Sequence, residues 1–191
     1  MSHKTIALFG GSFNPIHLGH IALAQAVIKG RFADEVWMLV SPQNPLKKQE
    51  GLQPEEVRLA LAGKALQSEQ HIHVSDFEFR LPRPSYTWNT LQALSSAYPN
   101  ITFKLLIGAD NWLVFDHWAH YQDILHHYEL LVYPRPDSPI RSAQLPSNVT
   151  LISSPLYPFS STDIRQRVKA KKSIKGMVAD SIIEDVERIY K

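Results

Sequence analysis

Two histidines follow a pair of glycines in the stretch "GGSFNPIHLGH", and these residue types are suited to holding an anion. Gly10 and Gly11 allow a ligand to approach the backbone closely. His17 and His20 are three residues apart, so they share one face if a helix begins near Ile16. A helix N-terminus favours phosphate, and imidazoles beside it can donate hydrogen bonds to oxygens that gain charge during a reaction. The stretch therefore predicts a phosphate site equipped for catalysis.

Two other interpretations of this stretch stay open. The glycines could form a simple turn, with histidines that only cap the helix or bond locally. A histidine pair at this spacing could also bind a metal ion, but the chain has no cysteine and no third ligand lies nearby in sequence. A phosphate neighbour would favour the protonated form of either histidine.

A pair of lysines follows the second apolar run, in the stretch "SPQNPLKK". Lys47 and Lys48 can reach beyond the carboxyl ends of the strands, where open α/β sheets bind ligands. Taken alone, they could equally be solvated surface side chains.

A second candidate anion site lies in "PFSSTDIRQRV", after the last apolar run. Ser160 or Ser161 suits the N-cap of a helix, and Asp163 completes a capping pattern. Capping does not explain Arg165, which follows in the second turn. Free hydroxyls, a helix N-terminus and an arginine together predict binding of a second anion. We interpret Arg167 as a surface charge.

The elements that must position these residues alternate between strands and helices. Short apolar runs predict buried strands at 5–10, 35–41, 71–79, 102–108, 128–134 and 148–153. Helical patterns lie at 18–29, 54–68, 88–97, 120–127, 161–171 and 178–189. This alternation predicts the α/β class: a Rossmann-like, doubly wound and mainly parallel sheet with helices on both faces and a small C-terminal helical part. We find no boundary within 1–191 and predict a single domain.

The composition narrows the class of protein. The chain has 191 residues, 44% of them hydrophobic, and a net charge of +2, which is typical of a globular protein and disfavours nucleic-acid binding. Its apolar runs are too short to cross a membrane, so we expect no membrane partner and a cytoplasmic location. The Pro-rich stretches 80–85 and 133–147 predict surface loops, the second a candidate mobile one. A homo-oligomer stays open.

The H-x-G-H element of the opening stretch resembles the signature of the nucleotidylyltransferase superfamily. Its wider pattern resembles the bacterial nicotinate-mononucleotide adenylyltransferase family. The "FSSTDIR" stretch is similar to the superfamily's I-S-S-T-x-x-R, with Phe159 in place of the isoleucine and Arg165 as the motif arginine. The lysine stretch resembles the family's P-P-H-K, where Lys48 corresponds to the phosphate-binding lysine and Lys47 replaces a histidine.

Two further stretches strengthen the resemblance. "LLIGADNW" is similar to a G-x-D element that places Asp110 near a ribose hydroxyl or a metal-bound water. "PSYTWNTL" resembles S-Y-T-x-D-T, with Thr87 at the matching threonine and Asn89 in place of the aspartate. Trp118 stands where the family has a tryptophan that stacks on the nicotinate ring. As alternatives, Asp110 could cap a helix and Trp118 could be a core aromatic.

The resemblance implies transfer of an adenylyl group from ATP to nicotinate mononucleotide, which gives nicotinate adenine dinucleotide and pyrophosphate. It implies catalytic roles for His17, His20, Lys48 and Arg165. It implies ATP contacts from Gly10, Gly11, Ser12, Phe13, Lys47, Asp110, Ser160, Ser161 and Thr162. It implies mononucleotide contacts from Thr87 and Trp118. The partners would be ATP and a pyridine mononucleotide, with Mg²⁺ bound mainly through the ATP phosphates.

Three alternative functions are compatible with the same residues. The acceptor could be another phosphorylated molecule, such as nicotinamide mononucleotide or phosphopantetheine, with adenylyl or cytidylyl transfer. The chain could also be a nucleotide-sensing module without turnover, although a pure binder would not need both histidines together with the lysine and the arginine. A fragment of a tRNA synthetase, which also uses H-x-G-H, is disfavoured because 191 residues leave no room for tRNA-binding parts.

Overall fold

The computed structural model describes residues 4–42, 51–142 and 145–191, which form one six-stranded parallel sheet flanked by helices. The strands are β1 (Lys4–Gly11), β2 (Glu35–Val40), β3 (Ile72–Ser75), β4 (Ile101–Gly108), β5 (Glu129–Tyr133) and β6 (Val149–Leu151). The helices are α1 (Leu18–Lys29), α2 (Glu55–Ala65), α3 (Thr87–Ala97), α4 (Ala109–Trp112), α5 (Tyr121–His127), α6 (Ser161–Lys169) and α7 (Ile183–Ile189). The predicted α/β class with a parallel sheet is confirmed.

The order of strands across the sheet is β3-β2-β1-β4-β5-β6. Strands β2 and β3 therefore follow β1 on one side of the sheet. The chain then crosses to the other side of β1, where β4, β5 and β6 follow in order. A crevice opens where the carboxyl ends of β1 and β4 diverge, because their following segments leave toward opposite faces. The "GGSFNPIHLGH" stretch begins at the end of β1, which places it at this crevice.

Two apolar layers, one on each face of the sheet, hold the helices in place. Strand β1 supplies both layers by alternation: Ala7 and Phe9 point to one face, and Ile6 and Leu8 to the other. The first layer takes buried residues from α1, α2, α6 and α7, and the second takes them from α3 and α5. The sheet is thus covered on both sides, as expected of a parallel sheet.

Several element boundaries differ from the sequence predictions. The run 71–79 ends as a strand at Ser75 and continues as a 3-10 helix over Phe77–Arg80. The sequence pattern does not predict helix α4, since four residues are too few to show helical periodicity. The last predicted helix is shorter, because a 3-10 turn over Asp180–Ile182 precedes α7.

The C-terminal part packs against the first layer rather than standing apart. The backbone N–H of Leu18 donates to the Met177 carbonyl at 2.9 Å. Lys64 on α2 forms an ion pair with Asp185 on α7 at 2.8 Å. Tyr190, which follows α7, is buried. In the described residues, no helix is both long and apolar enough to cross a membrane.

Candidate active site

The glycine pair forms the end of β1 and opens the crevice. A Cβ on Gly10 would meet no atom of the described residues within 4 Å, so these residues leave open space beside this backbone. A Cβ on Gly11 would instead lie 2.9 Å from Cζ of Phe13, whose ring folds back over it. Phe13 has a φ of 44°, a left-handed conformation that bulky residues rarely adopt. The buried Phe13 ring holds this turn, and the crevice keeps a bare backbone wall for a ligand.

The two histidines stack at the start of α1. Their ring centroids lie 3.6 Å apart at an interplanar angle of 25°. His17 is the N-cap residue, and its backbone N–H donates to Nδ1 of His20 at 3.2 Å. Because Nδ1 of His20 accepts this bond, the neutral ring carries its proton on Nε2. The predicted shared face is present, although the helix begins at Leu18 rather than near Ile16.

His17 is buried, and its Nδ1 faces the first turn of α1. The two histidines have the arrangement of a capping box, but Nδ1 of His17 makes no hydrogen bond of good geometry to the described residues. Burial, with a smaller contribution from the positive charge of Arg135, lowers the pKa of His17 from 6.5 to about 4. Without an anion nearby, His17 is therefore neutral at neutral pH. A Cβ on Gly19 would lie 3.0 Å from Cε1 and Nδ1 of this ring, so the glycine of the H-x-G-H element makes room for it.

A cation that the sequence pattern did not indicate lies beside the histidines. Arg135 follows β5 and lines the same cleft as His17 and His20. Its guanidinium lies 5.1 Å from the ring centroid of Tyr133 and donates to the Tyr133 hydroxyl at 3.1 Å. Its Nε is 3.6 Å from a carboxylate oxygen of Asp110. The position of Arg135 directly after a predicted strand could have indicated a site residue. The prolines around it, however, predict a surface loop.

Asp110 lies in the first turn of α4, at the carboxyl end of β4. Its carboxylate turns back over Gly108, at the place where a Cβ on that residue would stand. Asp110 is exposed, and its near neighbour is the cation Arg135. This placement is compatible with contact to a ribose hydroxyl and with a purely local ion pair.

The start of helix α6, which is the second predicted anion site, lies beside the histidine stretch, which is the first. Ser160 is the N-cap, and the Asp163 backbone N–H donates to its hydroxyl at 3.3 Å. The Ser160 hydroxyl donates in turn to the Asp163 carboxylate at 2.6 Å. The bond from the Ser160 hydroxyl, together with one from the Ser160 backbone N–H at 2.7 Å, lowers the pKa of the Asp163 carboxyl. Ser161 donates to the Pro15 carbonyl at 2.8 Å. The prediction of free hydroxyls at this helix start is therefore wrong for both serines.

Arg165 anchors α6 to the loop that follows β1. It donates to the Asn14 carbonyl at 2.7 Å and to the Thr162 hydroxyl at 3.2 Å. The Phe159 ring packs edge-on against His17, with centroids 5.6 Å apart. Arg167 points elsewhere and bonds the Ser173 carbonyl, as expected for a surface charge. The histidine pair and the arginine of α6 thus border one loop.

A larger cavity of about 410 Å³ lies on the other side of the glycine pair, toward β4. Its lining includes Ser12, Thr87 at the first turn of α3, and Trp118. The Trp118 ring packs against Phe115, with centroids 5.2 Å apart. Its indole Nε1 is buried and lacks a partner in the part of the chain that the structure describes. Trp118 is thus half-buried in the second layer while facing the cavity.

A buried carboxylate also lines this cavity and was not identified from the sequence. Glu78 accepts hydrogen bonds from Thr90 at 2.9 Å and from Ser85 at 3.4 Å. Burial raises the pKa of Glu78, while these hydroxyls counteract the rise. The "FEF" stretch has the pattern of a strand, so nothing local indicated a site residue there. Asn89 is exposed on α3.

Arg58 is a third residue that the sequence did not indicate, and its side chain is completely buried in α2. Its guanidinium donates to four backbone carbonyls: Gln53 at 2.8 Å, Ser12 at 2.6 Å, Ser41 at 2.9 Å and Pro42 at 3.2 Å. It thereby joins the ends of β1 and β2 to the start of α2. An arginine within a helical pattern is usually solvated, so the sequence alone gave no signal.

The lysine pair cannot be placed at the site. Lys47 and Lys48 lie outside the described residues, and their predicted roles stay predictions.

Comparisons with known proteins agree on one group. The family model described as cytidylyltransferase-like matches residues 8–167. A probable nicotinate-nucleotide adenylyltransferase of Bacteroides fragilis is 46% identical over 186 residues, which cover 97% of this chain and 92% of the relative. One of Cytophaga hutchinsonii is 45% identical over 179 residues, 94% and 93% of the two chains. The solved Plasmodium falciparum nicotinic acid mononucleotide adenylyltransferase complexed with NaAD has a TM-score of 0.78 at 20% identity, with 96% of each chain covered, which shows the fold.

Proposed function

We propose that this chain, which belongs to the nicotinate-nucleotide adenylyltransferases of the cytidylyltransferase-like family, transfers an adenylyl group from ATP to nicotinate mononucleotide in NAD biosynthesis. The products are nicotinate adenine dinucleotide and pyrophosphate. Relatives of the same name align with nearly the whole chain, so the family relationship covers both the histidine stretch and α6.

One observation carries the proposal: the stacked histidines and Arg165 border the same loop at the carboxyl end of β1. The phosphate of the mononucleotide attacks the α-phosphorus of ATP. A new P–O bond forms while the bond to the leaving pyrophosphate breaks. The nucleophile is already an anion, so no strong base is needed. The main difficulty is to bring two polyanions together, and the site meets it by positioning and by charge neutralisation.

The histidines serve as hydrogen-bond donors to the reacting phosphoryl group. His20 is held by the backbone N–H of His17 with Nε2 as its donor nitrogen. His17 is neutral before binding, and its buried Nδ1 lacks a partner among the described residues. A phosphate bound beside this ring would raise the pKa of His17 toward protonation. Binding of ATP would thus increase the positive charge where negative charge develops.

The leaving pyrophosphate is assigned to Arg165 and to the start of α6. The helix N-terminus supplies backbone N–H groups, and Ser160, Ser161 and Thr162 supply hydroxyls. The two serine hydroxyls donate to protein acceptors, so they must turn from those acceptors to reach phosphate. Arg135 adds a further cation beside the histidines. Lys47 and Lys48 remain candidates from the sequence alone.

The pyridine mononucleotide is assigned to the 410 Å³ cavity. The first turn of α3 at Thr87 directs backbone N–H groups there, which suits a carboxylate on the pyridine ring. The electron-poor pyridinium suits the face of an aromatic ring such as Trp118. Gly10 and Gly11 also line this cavity, and they begin the stretch that carries the histidines.

Mg²⁺ is proposed to arrive with the ATP phosphates. The described residues contain no group of three histidine or carboxylate side chains placed to hold a metal ion. The exposed carboxylate of Asp110 suits contact with metal-bound water instead. When bound, the ion neutralises phosphate charge, and Mg²⁺ usually keeps several waters and phosphate oxygens as ligands.

The test is release of pyrophosphate from ATP in the presence of a candidate acceptor. We expect the purified chain to use nicotinate mononucleotide and to form nicotinate adenine dinucleotide. Nicotinamide mononucleotide and phosphopantetheine, each with ATP and with CTP, provide the comparison. A higher kcat/KM for either of these acceptors would reject the assigned acceptor. Binding of ATP without pyrophosphate release under all conditions would reject catalysis and favour a sensing module.

A further inference from the structure

Tyr190 stands next to the last residue of the chain, yet its hydroxyl reaches the loop that follows β1. It donates to the side-chain oxygen of Asn14 at 2.7 Å, across 176 positions of sequence. Tyr190 is 3% exposed, so water does not compete freely for this bond. A second link runs from the Gln53 side chain to the Ile189 carbonyl at 3.5 Å. The C-terminal end of the fold is therefore bonded to the loop that carries the histidines.

The side chain of Asn14 is fixed by three hydrogen bonds. Its Oδ1 accepts from the Tyr190 hydroxyl and from the Gln53 backbone N–H at 3.2 Å. Its Nδ2 donates to the Gly51 carbonyl at 2.8 Å. A backbone N–H needs an acceptor and a carbonyl needs a donor, so only one orientation of the amide satisfies both. Loss of the tyrosine hydroxyl would leave the amide oxygen with a single donor.

The backbone of Asn14 is the anchor of Arg165. The Asn14 carbonyl accepts from the Arg165 guanidinium at 2.7 Å. One residue therefore receives the C-terminal hydroxyl through its side chain and the α6 arginine through its main chain. Tyr190 lies close enough to the guanidiniums of Arg165 and Arg58 to feel their charges. Burial outweighs those charges and raises the pKa of the Tyr190 hydroxyl, which keeps it a donor.

We infer that Tyr190 is a positioning residue for the adenylyl transfer: through Asn14 it holds the carbonyl that orients Arg165 toward the ATP phosphates. The inference rests on the proposed function. Tyr190 itself touches neither substrate. Its effect arises because a catalytic or binding group displaced by about 1 Å can lose up to about 10²-fold in rate.

The test compares Tyr190→Phe with Tyr128→Phe. Both changes remove one hydroxyl and leave the ring. The Tyr128 hydroxyl bonds Ser95 at 2.9 Å. Tyr128 stands just before β5, at the amino ends of the parallel strands, whereas the crevice lies at their carboxyl ends. Thermal unfolding establishes that both variants are folded at the assay temperature. The KM for ATP, the KM for the mononucleotide and kcat are then measured separately.

We expect Tyr190→Phe to raise the KM for ATP about fivefold to tenfold and to leave the KM for the mononucleotide within about twofold. Tyr128→Phe should leave all three constants unchanged. A merely structural role of Tyr190 would lower the melting temperature and leave both KM values unchanged, as in the control. That result would overturn the inference.

A double-mutant cycle with Arg165→Ala tests the route. If Tyr190 acts through Asn14 on Arg165, Tyr190→Phe will not raise the KM for ATP further once Arg165 has been replaced. Full additivity of the two changes would overturn the inference. Absence of pyrophosphate release by the unmodified chain would instead reject the proposed function. The two failures are therefore distinguishable.

Discussion

The imidazole rings of His17 and His20 lie face to face, 3.6 Å between centroids, and the backbone N–H of the first bonds Nδ1 of the second. A stacked pair of cations would repel, whereas a neutral His17 beside His20 does not. Burial keeps His17 neutral until an anion arrives. We therefore expect the pair to gain positive charge when phosphate binds, which would link nucleotide binding to transition-state stabilisation.

Replacement of His20 by alanine should lower kcat about 10²-fold, the scale for loss of one donor to a developing charge. The rate of pyrophosphate release at saturating concentrations of both substrates measures kcat. His126→Ala is the matched control, because His126 is exposed near the end of α5, at the amino ends of the strands and away from the histidine pair. Near-normal turnover of His20→Ala would contradict the assigned role.

The low pKa of His17 should appear in the pH dependence of stability. Its folded pKa of about 4 is below the ordinary value of 6.5, so the unfolded chain binds more protons between these two values. Stability is therefore lost as the pH falls from about 6.5 to about 4. A gap of this size corresponds to roughly 3 kcal/mol. Urea unfolding of the unmodified chain and of His17→Asn across this range measures the difference, and parallel curves would contradict it.

Gly19→Ala should impair the site without unfolding the chain. The added Cβ would lie 3.0 Å from the His17 ring and would displace it. We expect kcat/KM for ATP to fall about tenfold or more. Gly63→Ala on α2 is the control, since its Cβ would meet Val74 at an ordinary 3.7 Å. That change should keep activity and raise stability by about 0.4–1 kcal/mol. Equal activity of the two variants would show that the His17 ring tolerates the added group.

Arg58→Met should lower the free energy of unfolding by about 3 kcal/mol or more, because four backbone carbonyls would lose their donor. Arg58→Lys should recover only part of that loss, since one ammonium cannot reach all four. Arg80→Met is the control: Arg80 is exposed and pairs with Asp76 on the surface. Chemical denaturation compares the three variants, and a loss as small as that of the control would refute this role.

The local sequence predicted the elements and the principal motifs well. Strands β1, β2, β4 and β5 are short apolar runs whose pattern needs no knowledge of their neighbours. The capping pattern at Ser160 and the histidine spacing are equally local. Boundaries were less accurate at β3, where "FEF" continues the apolar pattern but turns into a 3-10 helix. Helix α4 was not predicted, because its four residues are too few to show helical periodicity.

The sequence by itself determined which residues end the strands, and therefore which chemical groups gather at one edge of a parallel sheet. Only the tertiary structure decided the order β3-β2-β1-β4-β5-β6, the burial that lowers the pKa of His17, and the bonds of Arg58, Asn14 and Tyr190. The physical reason is the sequence separation over which each interaction acts. Periodicity and capping act within a few residues, whereas burial and these hydrogen bonds join residues 14 and 190 or 12 and 58, which meet only after the chain has packed.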